Sequence, residues 1–256
     1  MNRFVLLLAA APLVLAAVPA CSSSSTAAPA GNGNGAVDDD GTEAEEDSGI
    51  PAGGTQCTAA RKTHLMPISK VSTGEVKVLS TAGGVTTLYV DASAGGAMEA
   101  AKSPRVYIKL TGERVDVNDN EAFTSTDWDL ALKRVDIFTN SGDAGPGKGG
   151  AAKIAKDFDD VTAADADAAK IVSEKFFDDD CVGRKDEAEF IITTFKGWYD
   201  YEVGGGPTVI PGVTFIVRGA DGTSRYKVGI VSYTGKSDGS TDGQATGRFI
   251  LKVAAL

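Results

Sequence analysis

The stretch STDWDLALKRVDIFTNSG, Ser125–Gly142, carries the clearest structural pattern in this sequence. Trp128, Leu130 and Leu132 alternate with polar residues, and alternate side chains of a β-strand lie on the same face. We therefore expect these three apolar side chains to face a core, with Lys133 pointing the other way. The stretch predicts a strand of a β-sheet whose inner face is apolar.

The end of the same stretch is typical of a turn. Asn140 and Gly142 are residue types that favour turns, and a glycine-rich segment over 141–150 follows them. The segment Gly145–Gly150 formally matches GxGxxG, but no βαβ pattern surrounds it, so we interpret it as a loop rather than a nucleotide site.

Similar β patterns recur on both sides of this stretch, while one segment, 161–176, has apolar residues at helical spacing. They predict a mostly β (β-rich α+β) domain of twisted antiparallel or mixed sheets with one or two short helices. The predicted strands are Glu75–Ser80, Thr86–Asp91, Arg105–Leu110, Arg114–Val117, Trp128–Thr139, Phe190–Phe195, Trp198–Val203, Val213–Arg218, Tyr226–Thr234 and Gly247–Val253.

The first twenty residues resemble an export signal. Arg3 precedes the apolar stretch Phe4–Ala17, which is short for a membrane-spanning helix, and small residues then lead to Cys21. We interpret residues 1–20 as a signal peptide and Cys21 as a lipidation site that anchors the protein to a membrane, with the outer membrane as the expected location. The alternatives are an ordinary signal peptide cut near Ala20, or an export signal with an incidental cysteine.

Residues 21–56 are rich in Ser, Gly and acidic residues, and we interpret them as a lipidated cysteine followed by a disordered acidic tether. The whole chain has a formal charge of −10, but 22–56 holds seven carboxylates and no Lys or Arg. The remaining domain, 57–256, has 24 basic and 28 acidic residues, which argues against nucleic acid as a partner because that needs a basic face.

The other two cysteines, Cys57 and Cys181, form an even pair once Cys21 is assigned to lipid. Exported proteins mature in oxidising compartments, so we expect a disulfide between them. The alternative is a metal site, although neither cysteine lies in a CxxC pattern or beside a histidine.

Two further groups contain possible metal ligands. The oxygen-rich segment Asp116–Glu121 departs from the EF-hand pattern, so we interpret it as a solvated turn, with a Ca²⁺ site as the alternative. His64 and Met66 would share one face of a strand; we interpret them as a surface pair without function, with half of a copper or haem site as the alternative. His64 is the sole histidine, so the sequence contains no credible Ser/His/Asp triad, and we expect no enzyme.

The pattern around Trp128 resembles the signature of the HmuY family, outer-surface lipoproteins of Gram-negative bacteria that are best known for binding haem. The resemblance extends in the same order and spacing over roughly 85–254. Besides Ser125–Gly142, it includes VYIKLTGE at 106–113, WYDY at 198–201, TFIVRGADG at 214–222, YKVGIVSY at 226–233 and GRFIL at 247–251.

This resemblance implies a HmuY-like fold with a cleft for haem or a related tetrapyrrole near Lys133, Asn140 and Gly142. Lys133 occupies the position of an iron-binding histidine of the family, and the chain has no His or Met after Met98. Two hypotheses therefore stay open. The protein binds haem, or it is a haem-free relative of the same fold that binds another ligand or a protein partner.

Overall fold

The computed structural model of the chain describes residues 57–187, 189–202 and 206–256. The predicted signal peptide 1–20, the lipidation site Cys21 and the tether 21–56 lie outside the described residues. Within the described ranges, no helix is both long enough and apolar enough to span a bilayer.

Twelve β-strands and three short α-helices make up the regular structure of the described residues. The helices are α1 (Thr58–Leu65), α2 (Asp119–Ala122) and α3 (Ala163–Ala168). The strands are β1 (Val76–Ala82), β2 (Val85–Asp91), β3 (Val106–Ile108), β4 (Arg114–Val115), β5 (Leu130–Lys133), β6 (Asp136–Thr139), β7 (Gly150–Ile154), β8 (Tyr199–Glu202), β9 (Gly206–Val209), β10 (Thr214–Arg218), β11 (Arg225–Ser232) and β12 (Arg248–Ala255).

The strands form three antiparallel sheets. The largest has six strands in the order β1-β2-β12-β11-β10-β7, the second has four in the order β4-β3-β5-β6, and β8 pairs with β9. All pairings between these strands are antiparallel. The predicted mostly β class is therefore confirmed, with three helices where one or two were expected.

The four-stranded sheet is covered on both faces. Its Leu130 and Leu132 pack against Phe215 and Leu251 of the six-stranded sheet, in a large apolar core between the two sheets. On the opposite face, Ala131 packs in a second core with residues of α1, α2 and the segment around 176–177. The fold thus has three layers: the six-stranded sheet, the four-stranded sheet, and a layer of short helices and loops.

The segment Trp128–Thr139 was predicted as one strand and is instead the hairpin β5–β6, with a two-residue turn at Arg134 and Val135. The predicted facing of Trp128 is also wrong. Trp128 precedes β5 and packs in the second core, away from Leu130, because its indole N–H donates to the carbonyl of Ala122 at 3.0 Å.

The predicted strand Phe190–Phe195 forms only an isolated bridge, at Ile191. Near the end of this segment, the backbone N–H of Thr194 donates to the Glu174 carboxylate at 2.9 Å instead of to a neighbouring strand. The strand prediction is therefore wrong here.

The predicted helix 161–176 is confined to α3. Thr162 and Asp165 form a capping box at its start, and the backbone becomes extended at Ala169. Val172 then exchanges two backbone hydrogen bonds with Ala151 of β7, at 3.0 and 3.1 Å. This pairing extends the edge of the large sheet, which is why the helix stops early.

The acidic segment Asp116–Glu121, predicted as a solvated turn, is solvated only in part and leads into α2. Asn118 caps α2, and Glu121 completes a capping box. Asp119 is fully buried and accepts hydrogen bonds from the Arg105 guanidinium at 3.3 Å and from the Tyr107 hydroxyl at 3.0 Å. Its oxygens thus stabilise the fold, because a buried carboxylate needs such partners.

The expected disulfide joins Cys57 to Cys181. Cys57 immediately precedes α1, so the bond fastens this helix to the segment that follows Phe177. The sequence separation of 124 residues makes the closed loop long, and this is the case in which chain-entropy models give the largest stabilisation.

Candidate functional site

The strongest candidate site is a cavity of about 460 Å³ beside the tip of the β5–β6 hairpin. We call it the Lys133 cavity. Its wall combines the end of α1, the segment 97–101, the hairpin tip and the β8–β9 hairpin, and most of its residues are apolar. The residues that line it include His64, Leu65, Met66, Arg105, Lys133, Arg134, Val135, Asp136, Phe190, Ile191, Pro207 and Tyr233.

The hairpin tip is held firmly on both sides. Arg134 has a left-handed backbone, with φ of 54°, which non-glycine residues rarely adopt. Its N–H donates to Ala92 at 2.8 Å, and its guanidinium donates to the Thr246 hydroxyl at 2.9 Å. The Trp198 indole donates to the Val135 carbonyl at 3.1 Å. These contacts fix the direction in which Lys133 leaves the strand.

Four polar side chains of the cavity wall contain a buried atom without a hydrogen-bond partner in the described part of the chain. The atoms are His64 Nε2, Arg105 Nε, Lys133 Nζ and Tyr233 Oη. Each unsatisfied buried polar group costs about 1 to 3 kcal/mol. Their concentration in one cavity indicates a site where a ligand completes the hydrogen bonding.

Burial and nearby charge change the acid–base properties of the cavity. Burial and, secondarily, the positive charge of Arg105 lower the pKa of Lys133 to about 8, while Asp119 and Asp136 act in the opposite direction. Burial raises the pKa of Asp136 and raises that of Tyr233 to about 12. At neutral pH the cavity therefore contains an ammonium group and an undissociated phenol.

His64 and Met66 lie at this cavity, but not on a strand as the sequence suggested. His64 is on α1 and Met66 follows it, and both contribute to the wall. The imidazole packs against the Phe177 ring with centroids 5.2 Å apart. Burial, followed by the charges of Lys185 and Arg105, lowers the pKa of His64, so the ring is mostly neutral at pH 7.

A second cavity of about 650 Å³ adjoins the first. It shares His64, Met66, Asp136, Phe190 and Ile191 with the Lys133 cavity and extends toward Cys181. We favour the Lys133 cavity as the ligand site because it combines a mostly apolar wall with all four unpartnered atoms, of which the adjoining cavity has only the one on His64.

Of the three residues expected at the ligand cleft, only Lys133 lines this cavity. Asn140 is fully buried, and its side chain bonds to the carbonyls of Ser125 and Trp128 and to the N–H of Gly147, each at 2.9 Å. Gly142 is left-handed, with φ of 49°, and a Cβ there would collide with the carbonyl oxygen of Glu174. The structure therefore uses both residues to fold the loop.

No group of three or more His, Cys, Asp or Glu side chains in the described ranges is arranged to hold a metal ion. The oxygen ligands of the alternative Ca²⁺ site at Asp116–Glu121 are used by α2 and by Arg105. The GxGxxG-like segment folds around Asn140, as expected of a loop.

Sequence reasoning missed Arg105, Tyr233 and α1 as parts of the site. Arg105 looked like the polar start of the predicted strand Arg105–Leu110. Tyr233 looked like an apolar residue near the end of another predicted strand, Tyr226–Thr234. One signal was available for α1: Cys57 was expected to pair with Cys181, so the residues after Cys57 had to pack near the middle of the chain.

Comparison with known proteins gives one family match. A family model described as HmuY protein matches residues 101–249, which is more than half of the chain and includes the strands from β3 into β12. The matched range contains Lys133 and the β5–β6 hairpin but not His64 or Met66. No curated protein matches the chain.

Proposed function

The chain belongs to the HmuY family, and from this premise we propose that it is a non-enzymatic binding protein that takes up haem or a related tetrapyrrole in the Lys133 cavity. The observation that carries the proposal is the set of four unpartnered polar atoms in a mostly apolar cavity. Small-molecule sites usually combine such a wall with a few convergent polar groups.

The volume and the lining of the cavity support a tetrapyrrole with carboxylates as the ligand. Its volume of about 460 Å³ lies in the usual range for ligand pockets, and Leu65, Val135 and Ile191 provide apolar surface for a planar ring. Lys133 would carry the positive charge that a carboxylate requires, and Arg105 would add the unpartnered donor at its Nε.

Fewer side chains of the cavity wall could bind a haem iron than could contact the ring or its carboxylates. Haem supplies an iron that takes a nitrogen or sulfur ligand from a side chain. In this chain the one imidazole is His64, whose Nε2 is unpartnered at the cavity wall, and Met66 stands beside it. We propose His64 as the residue that would hold the iron, because Lys133 is mostly protonated at neutral pH and an ammonium group has no lone pair to donate.

The alternative is a haem-free relative that binds another ligand or a protein with the same fold. The observation that favours it is the lysine at position 133, where the resemblance to the family places an iron-binding histidine. Under both functions we propose that Cys21 is lipidated and that the acidic tether 21–56 holds the domain, 57–256, away from the outer membrane after export.

The test is a haemin titration of the purified chain, followed by its Soret absorption. We expect a sharp Soret band that saturates at one haem per chain. His64→Ala should shift the band, because the proposed iron ligand is lost, whereas Lys133→Met should weaken binding with little shift. Lys109→Met is the matched control, since the Lys109 side chain is 41% exposed and forms a surface ion pair with Glu113.

A broad band that never saturates would reject haem as the ligand and favour the haem-free function. A saturable band that is unchanged in His64→Ala would retain haem binding and reject His64 as the iron ligand.

A further inference from the structure

We propose that the Lys133 cavity recognises a carboxylate attached to a large apolar body, and that this recognition does not require iron. The inference rests on the proposed function only in so far as a tetrapyrrole is one such body. It concerns how the site selects a ligand, which neither the family match nor the fold assigns.

The hydrogen-bonding character of the unpartnered atoms restricts which ligand can satisfy them. Lys133 and Arg105 side chains can only donate, and a phenol such as Tyr233 donates its single O–H. All three residues are more than nine-tenths buried, with exposures of 6%, 3% and 3%. A ligand that satisfies them must bring acceptors, and a carboxylate is an acceptor-only group with up to four lone-pair positions.

The charged side chains of the cavity wall differ in how far their charge is paired. Arg105 already forms a buried ion pair with Asp119 at 3.3 Å, so its charge is largely compensated. Lys133 has no ion pair within the described residues, although Asp136 is its register partner across the hairpin and, like Asp119, attracts its ammonium. The ammonium of Lys133 is therefore the positive charge in the wall that lacks a direct hydrogen-bond partner, and a ligand carboxylate would supply one.

Asp136 is the acidic group of the same wall. Burial raises its pKa, although the positive charges of Arg105 and Lys133 act in the opposite direction. Asp136 lies opposite Lys133 across the hairpin, so a ligand carboxylate on that side would meet a like charge whenever Asp136 is ionised. We therefore expect the ligand carboxylate to lie on the Tyr233 side of Lys133 rather than the Asp136 side.

The apolar part of the cavity wall determines what the rest of the ligand must be. Leu65, Val135, Phe190, Ile191 and Pro207 form apolar surface around the polar atoms, so the rest of the ligand must be apolar and large enough to cover them. Porphyrins with propionate groups and long-chain fatty acids both have this chemistry. The experiment must separate these two sources of a carboxylate.

The experiment measures quenching of tryptophan fluorescence in the full chain, because Trp198 packs against Tyr233 with ring centroids 5.3 Å apart. Four probes are titrated: metal-free protoporphyrin IX, its dimethyl ester, palmitate and methyl palmitate. We expect an acid to bind at least about ten-fold more tightly than its ester, because hydrogen bonds to charged groups are the strong ones.

Variants identify the residue responsible. Lys133→Met should remove the preference for acid over ester, while Lys133→Arg, which keeps the charge, and the exposed control Lys109→Met should retain it. Tyr233→Phe removes only one hydroxyl, so it should reduce the preference without affecting the fold. This variant keeps the test open if Lys133→Met fails to fold.

The outcomes separate this inference from the proposed function. Equal binding of protoporphyrin and its ester would overturn the inference and leave tetrapyrrole binding intact. Palmitate binding that depends on Lys133, without porphyrin binding, would support the inference and exclude metal-free porphyrin as a ligand. Failure of all four probes to bind would overturn the inference, whereas the proposed function is rejected only if haemin also fails to give a saturable Soret band.

Discussion

The side-chain oxygen of Asn140 accepts the backbone N–H of Gly147 at 2.9 Å, so the glycine-rich loop folds around one buried amide. The amide nitrogen donates to the carbonyls of Ser125 and Trp128. A Cβ at Gly147 would lie 2.6 Å from the Asn140 carbonyl oxygen, which explains why the loop needs glycine there. One residue thus connects both ends of the hairpin segment.

This relationship predicts that Asn140→Ala lowers the free energy of unfolding by about 3 kcal/mol, because it leaves several buried polar groups without partners. Urea denaturation, followed by circular dichroism, measures the change. Asn120→Ala is the control, since Asn120 is exposed, and it should cost less than about 1 kcal/mol. Equal effects of the two substitutions would contradict the role of the buried amide.

The fold could be predicted from the sequence where β-branched and aromatic residues concentrate in a short run. Thr86–Asp91 and Tyr226–Thr234 were placed to within two residues on this signal. The β5–β6 hairpin was harder to predict because both faces of the four-stranded sheet are buried. Burial on both sides removes the alternation that marks a turn or a change of face.

The site could be predicted only in part. Lys133 was found through the family resemblance, but Arg105, Tyr233 and His64 come from three distant parts of the chain. Asn140 and Gly142 belong to the same stretch of sequence as Lys133, yet the chain passes the hairpin turn before it reaches them. Proximity in sequence therefore does not bring them to the wall of the Lys133 cavity, because the hairpin tip, rather than its outgoing strand, faces the cavity.

The buried carboxylate of Glu174 should make stability depend on pH. Burial raises the pKa of Glu174 to about 7 although Thr139 and Thr194 donate hydrogen bonds to it. The folded protein thus holds this proton over a range, about pH 4.5 to 7, in which the unfolded chain has released it. Stability should therefore fall as pH rises through this range, by up to about 3 kcal/mol.

The measurement is the free energy of unfolding of the native protein and of Glu174→Gln between pH 4.5 and 8. The difference between the two should change in this range and become constant above it. Glu113→Gln, at an exposed ion pair, should follow the native curve. A constant difference between native protein and Glu174→Gln over the whole range would show that Glu174 does not hold a proton in the fold.

Removing the disulfide should weaken both the fold and the cavity. The loop closed by Cys57 and Cys181 is long, so the double variant Cys57→Ala/Cys181→Ala should lose up to about 5 kcal/mol of stability. Because α1 contributes His64 to the cavity wall, ligand affinity should fall as well. Thermal unfolding and titration with protoporphyrin IX measure the two effects.

A reducing agent should reproduce both changes in the native protein and leave the double variant unaffected. If stability falls while affinity stays constant, then α1 does not form the wall of the binding site.

Lys133 should reduce the stability of the ligand-free protein. Its ammonium is buried without a partner in the described structure, so Lys133→Met should raise the free energy of unfolding by about 1 kcal/mol, as for other unpaired buried charges that are replaced by apolar side chains. The native pKa of about 8 lies below the usual lysine value of 10.5. From about pH 8 to 10.5 the unfolded chain therefore binds a proton that the folded protein has released.

In that range the stability of the native protein should rise with pH relative to Lys133→Met, so the advantage of the variant should shrink as the solution becomes alkaline. Chemical denaturation at pH 7 and at pH 10 tests this, with Lys109→Met as the exposed control. A saturating carboxylate ligand should remove the advantage at pH 7, because it gives the ammonium a partner. If Lys133→Met is instead less stable than the native protein at pH 7, its ammonium already has a partner in the free protein, and the cavity has no charge left for a ligand.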